Sequence, residues 1–218
     1  MESGPDTFDR DFVLRWARSL ASTLHDERDF LTQLDAAIGD ADHGVNMDRG
    51  FAAVLSKFDG DVPSAPGAVL EVVGTTLVLS VGGAAGPLYG SAIREMGRTL
   101  GPAETFDGEV LLRLLRAALE EIQRLGAAVL GDKTMVDALV PAIDGLEHGL
   151  RAGDAVRDAL ARARAGADEG ARATVPLQAR KGRASYLGSR SVGHQDPGAT
   201  STALLIAAFE RAAAEGAP

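Results

Sequence analysis

The chain of 218 residues predicts an all-α fold, an antiparallel bundle or barrel of about eight or nine amphipathic helices joined by short loops. Three observations carry this. Apolar residues recur at three- and four-residue steps along most of the chain. Ala, Leu, Arg and Glu dominate while aromatic residues make up only 5%, a composition that favours helix. Glycine, proline and aspartate interrupt the periodic stretches at short intervals, and no segment alternates as a strand does.

Residues 1–6 read as a disordered lead-in to a single domain spanning 1–218. From Phe8 onward, Phe12, Trp16, Leu20 and Leu24 form one stripe of a first helix. A second, about 27–38, turns Phe30, Leu31 and Leu34 inward and ends at Gly39, a C′ glycine by position. A third runs from about Val45 to Phe58. The turn-rich 59–67 stretch is a loop within the domain. Residues 68–81 are apolar nearly all round and rich in β-branched side chains, so a buried strand is conceivable by composition, but the length favours a buried helix. Another helix covers 88–100. Asp107 caps the clearest one, with Val110, Leu111, Leu114, Leu115, Ala118, Ile122 and Leu125 in register. Beyond the 126–131 break, a helix from Thr134 to about Leu150 is expected to bend or break at Pro141. Asp154 caps a further helix to about Ala173. The polar stretch 175–198 has weak periodicity, and a last helix covers 199–214.

A formal net charge of −9 argues against nucleic acid or an anionic membrane surface as partner. The absence of cysteine excludes disulfides, zinc–thiolate sites and thiol catalysis. No segment reads as a signal peptide, and no apolar run is long enough to cross a bilayer, so a cytoplasmic location is expected.

The densest chemistry lies in Leu34-Asp-Ala-Ala-Ile-Gly-Asp-Ala-Asp-His-Gly-Val-Asn-Met47. Asp40 and Asp42, two apart, point the same way in an extended loop, and Asp35 reaches in from one turn back. Three hard oxygen donors suit Mg²⁺. The following His43-Gly44-Val45-Asn46 reads as a helix start whose unpaired N–H groups offer an anion site. EF-hand spacing fails, because Phe51 stands where a bidentate Glu is needed and Val45 where the mid-loop Gly belongs.

Three more non-helical islands follow, at 82–87, 131–135 and 182–198. In an up-and-down arrangement alternate loops fall at one end, so these can share a site with 35–46. The Gly82-Gly-Ala-Ala-Gly-Pro87 turn lets backbone amides approach an oxyanion, or is simply a tight helix–helix turn. Gly126 to Thr134 nearly spells a P-loop, but the inserted Asp132 and the lack of a preceding strand reject it. Within it, Thr134 can cap a helix, and Lys133 either contacts phosphate or faces solvent. The basic run 178–188 is either a mobile flap over an anion or a solvated loop. Ser185, His194 and Asp196 lie too close in sequence for a hydrolase triad.

Taken together, Leu34-Asp-x-x-Ile-Gly-Asp-Ala-Asp-His-Gly-x-Asn-Met47, Gly82-Gly-Ala-x-Gly-Pro-Leu88, Gly131-Asp-Lys-Thr-Met135, Gln178-Ala-Arg-Lys-Gly-Arg-Ala-Ser-Tyr-Leu-Gly188 and Gly193-His-Gln-Asp-Pro-Gly-Ala-Thr-Ser201 resemble the nucleotide-binding L subunits (DhaL) of dihydroxyacetone kinases, from about Phe8 to Ala214. The resemblance implies a barrel of eight antiparallel amphipathic helices with ADP or ATP at one end. It implies two Mg²⁺ ions on Asp35, Asp40 and Asp42. The nucleotide would be surrounded by the His43, Gly44, Val45 and Asn46 stretch, Ala84 and Ala85 of the glycine turn, Gly126, Met135, Arg183, and the Asp196, Pro197, Gly198 turn. The basic segment would be a lid.

The implied activity is half of a kinase. In one branch of the family a phosphocarrier M subunit of the phosphotransferase system rephosphorylates bound ADP, and the phosphoryl group passes to dihydroxyacetone held by a K subunit. In the other, exchangeable ATP serves dihydroxyacetone or a related short sugar. Some members also sense ADP against ATP and dock a transcriptional regulator. One departure stands out. Many members carry a serine where this chain has Ala84 and Ala85, which removes a hydroxyl contact to phosphate of about 1–3 kcal/mol and implies weaker or more exchangeable nucleotide.

Overall fold

The computed structural model describes residues 7–215, so the lead-in expected for 1–6 lies outside the described residues. Within them the chain is helical nearly throughout. Asp9 opens α1 (Arg10–Asp26) by accepting the Phe12 amide at 2.9 Å. Its stripe of Phe12, Trp16, Leu20 and Leu24 is buried to 1% exposure or less. There follow α2 (Arg28–Ile38), α3 (His43–Phe58), α4 (Pro66–Ser80), α5 (Ala85–Leu100), α6 (Gly108–Gly126), α7 (Val136–Ala152), α8 (Val156–Ala173) and α9 (Pro197–Glu215). Residues Arg183–Ser191 form a 3₁₀ stretch within the basic segment.

The helices close into a ring. α1 packs on α3, α3 on α4, and each helix from α4 to α8 on its successor, until α9 returns against α1; α2 leans on α3 and α9. One hydrophobic core fills the centre, from Phe12 and Trp16 through Phe51, Leu77 and Leu111 to Phe209. Trp16 stacks on Phe209 with centroids 4.8 Å apart and rings 5° from parallel. Its indole N–H donates to the Leu205 carbonyl at 3.3 Å.

Two hairpins approach too closely for side chains. Gly74 of α4 faces the Gly90 carbonyl of α5, and Gly170 of α8 faces the Asp137 carbonyl of α7, so that a Cβ at either would overlap a backbone oxygen. The second contact also accounts for Pro141. It lies inside α7 without ending it. Proline cannot donate to the Asp137 carbonyl, and Gly170 packs against the oxygen left over.

The 68–81 stretch is the buried helix its length favoured, with Thr76 and Ser80 returning their hydroxyls to the carbonyls four residues back, at 2.7 Å each. Other expectations need correction. Asp154 does not cap α8. Ala155 holds that position, and Asp154 accepts from Arg162 at 2.7 Å. Two strands not foreseen, β1 (Thr7–Asp9) and β2 (Thr105–Asp107), pair antiparallel with Phe8 opposite Phe106. Three residues are too few to show alternation, and Phe8 stacks on Phe12 while Phe106 packs tilted or edge-on against both. α5 ends, and α6 begins, at this ribbon, so it closes one end of the barrel and the other end is left for the loops.

Candidate functional site

At that other end a cleft of about 650 Å³ is lined by residues of all four islands, 35–46, 82–87, 131–135 and 182–198. The up-and-down arrangement therefore brings the islands together. Of the residues that the resemblance assigns to metal or nucleotide, all line the cleft except Gly44 and Val45. Gly44 is pressed against the Arg28 carbonyl of α2, where no Cβ fits, and Val45 faces solvent.

The acidic loop begins inside α2. Asp35 sits in its last turn, only 8% exposed, and its Oδ2 accepts the amides of Asp42 at 2.9 Å and His43 at 3.1 Å. One expected anion donor, the His43 amide, is thus already occupied. Gly39 is not a left-handed cap (φ −140); it is glycine because a Cβ would overlap Asp35 Oδ1. The loop is not extended either. Ala41 adopts φ 61, a left-handed turn that alanine rarely takes, and this bend rather than strand-like alternation gathers the aspartates. Asp35, Asp40 and Asp42 each offer a carboxylate oxygen, and the three lie within 4.8 Å of one another. Such an oxygen-only set suits a hard divalent cation.

Opposite this loop, α5 begins at Ala85 with no side chain capping its first amides. Gly82, Gly83, Ala84 and Ala85 line the cleft beside them, so that free helix-start donors face it. Gly82 leaves room for Asn46, whose Oδ1 accepts from Arg49 at 2.7 Å. His43 Nε2 meets Ser201 Oγ at 2.8 Å, and the buried Tyr89 hydroxyl lies 2.7 Å from both Ser201 and Thr202. Burial pushes the His43 imidazole down, against the pull of Asp35 and Asp42. Leu88, Ile122, Ala128 and Met135 give the cleft an apolar wall that sequence reading did not pick out as a unit.

The third wall comes from the 174–198 segment. Arg183 donates through Nε to Asp40 at 2.9 Å. Ala184 and Leu187 pack with Ala179 on Ile38 of α2, so this largely exposed segment is anchored to the barrel by a small apolar cluster. Asp196 Oδ2 accepts the Ala199 amide at 2.7 Å as an N-cap does, with Pro197 opening α9. Burial raises the Asp196 carboxyl to about 7, although the Ala199 amide and nearby Lys133 pull it down.

Of the two alternatives for Lys133, facing solvent is wrong: the residue lines the cleft yet is only 1% exposed. Its Nζ donates to the carbonyls of Thr174 at 2.9 Å, Leu177 at 3.1 Å, Ser191 at 2.8 Å and His194 at 2.5 Å. Thr134 does not cap α7: Met135 holds that position without a side-chain bond, and Thr134 lies one residue before it, its hydroxyl accepting the Val136 amide at 3.2 Å while Asp137 Oδ2 accepts the Thr134 amide at 2.8 Å.

A helical barrel that gathers three carboxylates and an uncapped helix start around one cleft has the donor chemistry of a metal-assisted phosphate site. Comparison with known proteins makes this specific. Residues 37–211 match the DAK2 domain, and the chain belongs to that family. It is 41% identical over 203 residues to the PEP-dependent dihydroxyacetone kinase 1, ADP-binding subunit DhaL, of Listeria innocua, covering 93% of this chain and 96% of that one. The corresponding Escherichia coli subunit is 39% identical, with 94% and 98% covered. A D-erythrulose kinase of Mycolicibacterium smegmatis is 36% identical over 88% of this chain but only 33% of its own length. Among solved structures, the dihydroxyacetone kinase of C. freundii in complex with AMP-PNP and Mg²⁺ superposes with a TM-score of 0.72 at 24% identity, over 97% of this chain and 35% of that one. The chain thus spans about a third of that solved kinase, with which it shares the fold. No helix among the described residues is long and apolar enough to cross a membrane.

Proposed function

We propose that this chain is the nucleotide-binding subunit of a dihydroxyacetone kinase. It holds ADP and ATP through Mg²⁺ in the cleft and relays a phosphoryl group from a phosphotransferase-system carrier to dihydroxyacetone on a separate K subunit. The observation that carries this reading is the meeting of Asp35, Asp40 and Asp42 with the uncapped start of α5 in one cleft. Near full-length similarity to subunits named for that role supports it.

The donor set fits magnesium. Asp35, held by two backbone amides, is the fixed ligand, and the more exposed Asp40 and Asp42 complete the set for two ions. Bound Mg²⁺ supplies charge neutralisation at the phosphate oxygens. The chain's own groups do the rest by position. Amides of the 82–85 turn would bind phosphate oxygens, Arg183 would bring a cation from the flap, and Leu88, Ile122, Ala128 and Met135 would shelter the base. No acid or base of this chain is required at the sugar. Leu79, Val129, Leu130 and Tyr186 are large apolar side chains left exposed, each lining the cleft or close in sequence to residues that do. They suit a partner that docks over the mouth and shuts out water.

Ala84 and Ala85 favour a second reading, in which nucleotide exchanges freely and the subunit serves an ATP-dependent kinase of dihydroxyacetone or a related short sugar. Native mass spectrometry of the purified protein, before and after excess ATP, separates the two. Retained ADP that exchanges slowly supports the relay, and a freely exchanging site supports the ATP-dependent kinase. Phosphoryl transfer to dihydroxyacetone with partner subunits tests both. Docking of a regulator without turnover would leave a sensing module instead, and failure to bind any nucleotide with Mg²⁺ would sink all three.

A further inference from the structure

Lys133 sits in a left-handed conformation (φ 63) that turns its side chain into the protein. A buried ammonium is costly unless hydrogen bonds replace its water. Here no carboxylate lies within ion-pair distance among the described residues, and carbonyls alone do the replacing. Those carbonyls are not spread at random. Thr174 and Leu177 stand where the chain leaves α8, and Ser191 and His194 stand where it returns to α9. Between them the chain makes the excursion that carries Arg180 to Tyr186 into the cleft.

Three ammonium protons shared by four carbonyls therefore hold both strands of the neck at one point. Neighbouring bonds reinforce it: Gly193 to Val175 at 2.8 Å, Arg180 to the Asp132 carbonyl at 3.0 Å, and the Asp196 amide to the Thr174 hydroxyl at 2.9 Å. Outside the neck the flap has the small cluster on Ile38 and the largely exposed Arg183–Asp40 pair. Exposed pairs hold a segment weakly.

We infer that Lys133 is the positioning residue of the flap, pinning its neck so that Arg183 and the Asp196–Gly198 turn face the cleft together. Its role rests on the proposed nucleotide site only for the consequence on binding; the pinning itself does not. The protein's other lysines, Lys57 and Lys181, serve as internal references.

Amine acylation of the wild-type protein, read by mass spectrometry, is the first test. Lys57 and Lys181 label at once, while Lys133 labels at least tenfold more slowly, at the rate the flap opens. Labelling of Lys133 as fast as Lys57 overturns the inference, and this holds whether or not any variant folds. The second test is Lys133→Met, which keeps the apolar stem. Hydrogen exchange is expected to speed up at least tenfold in 174–196 and to stay unchanged in α4–α6, with Mg-ADP dissociating about tenfold faster. Uniform acceleration across all helices would reveal a general fold role and overturn the pin, as would no change in 174–196. Should the wild-type protein bind no Mg-ADP, the site reading fails, and the labelling and exchange results still judge Lys133.

Discussion

Arg183 reaches from the flap to Asp40 of the acidic loop, Nε to Oδ2 at 2.9 Å, so one carboxylate of the proposed metal set is also the flap's electrostatic landing point. The guanidinium side chain is 68% exposed, and such a pair adds only about 0–1 kcal/mol to folding. Arg183→Ala should leave the melting temperature nearly unchanged. A lost charge-assisted contact to phosphate, worth about 1.5–3 kcal/mol, would weaken Mg-ADP roughly ten- to a hundredfold. Calorimetric titration beside a melting curve checks both halves, and unchanged affinity would remove Arg183 from the site.

Asp35 and Asp42 should separate structure from metal binding. Asp35 accepts two amides, so Asp35→Ala costs about 1–2 kcal/mol of stability even without nucleotide, as loss of a helix cap does. Asp42 is an exposed loop residue, and Asp42→Asn should move metal-free stability by less than about 0.5 kcal/mol. Both variants should lose the stabilisation that Mg-ADP gives the wild type, and chelation should abolish it in the wild type too. Melting curves with and without Mg-ADP decide it; an Asp42→Asn protein fully stabilised by Mg-ADP would contradict the assignment.

Asp196 gives a pH dependence of defined sign. Burial lifts its carboxyl from an ordinary 3.8 to about 7, so the folded state binds the proton more tightly than the unfolded one. The stability this contributes is complete below about pH 4, declines as pH rises through about 7, and is flat above. Asp196→Asn keeps an oxygen for the Ala199 amide and cannot ionise. Its stability relative to wild type should therefore rise from pH 5 to pH 8 in denaturant titrations, and a constant difference would contradict the shifted carboxyl.

Trp16 is the sole tryptophan, and it reports on the ring closure between α1 and α9. Trp16→Ala should cost about 3–5 kcal/mol, since it opens a cavity at the stack with Phe209. Wild-type emission should be blue-shifted and should move red in the same transition as the loss of helix. Separate transitions would mean that closure and helix formation are uncoupled.

Ala85→Ser tests the missing hydroxyl. If a side-chain donor at the start of α5 strengthens phosphate binding, the variant should retain ADP longer than wild type through gel filtration. Equal retention would show that backbone donors suffice.

The helices were legible because one physical signal repeats along the chain. Phe12, Trp16, Leu20 and Leu24, or Leu111, Leu114, Leu115 and Ile122, recur with the helix period and are all buried. The acidic loop and the glycine turn were legible because their residue types are unusual together. What escaped reading depends on contacts between distant segments. Nothing local distinguishes a Lys133 that serves carbonyls forty to sixty residues away from one in solvent. Gly74 reads as a helix-weakening residue until α5 is laid against it. The left-handed Ala41 shows no sequence mark, since alanine seldom adopts that conformation. The helix-start amides of α3 were expected to be free, and Asp35 had already taken that of His43.

The return of α9 to α1 has a consequence for where the two helices begin and end. Phe12 lies near Phe209 and the Arg15 guanidinium reaches the Ala212 carbonyl, so the first turns of α1 and the last turns of α9 are neighbours. α9 has 19 residues, which places that corner about 28 Å from the Asp196–Gly198 turn at its other end. The start of α1 and the end of α9 therefore lie together at the end of the barrel away from the cleft, and among the described residues the cleft's mouth is bounded only by the loops at the opposite end.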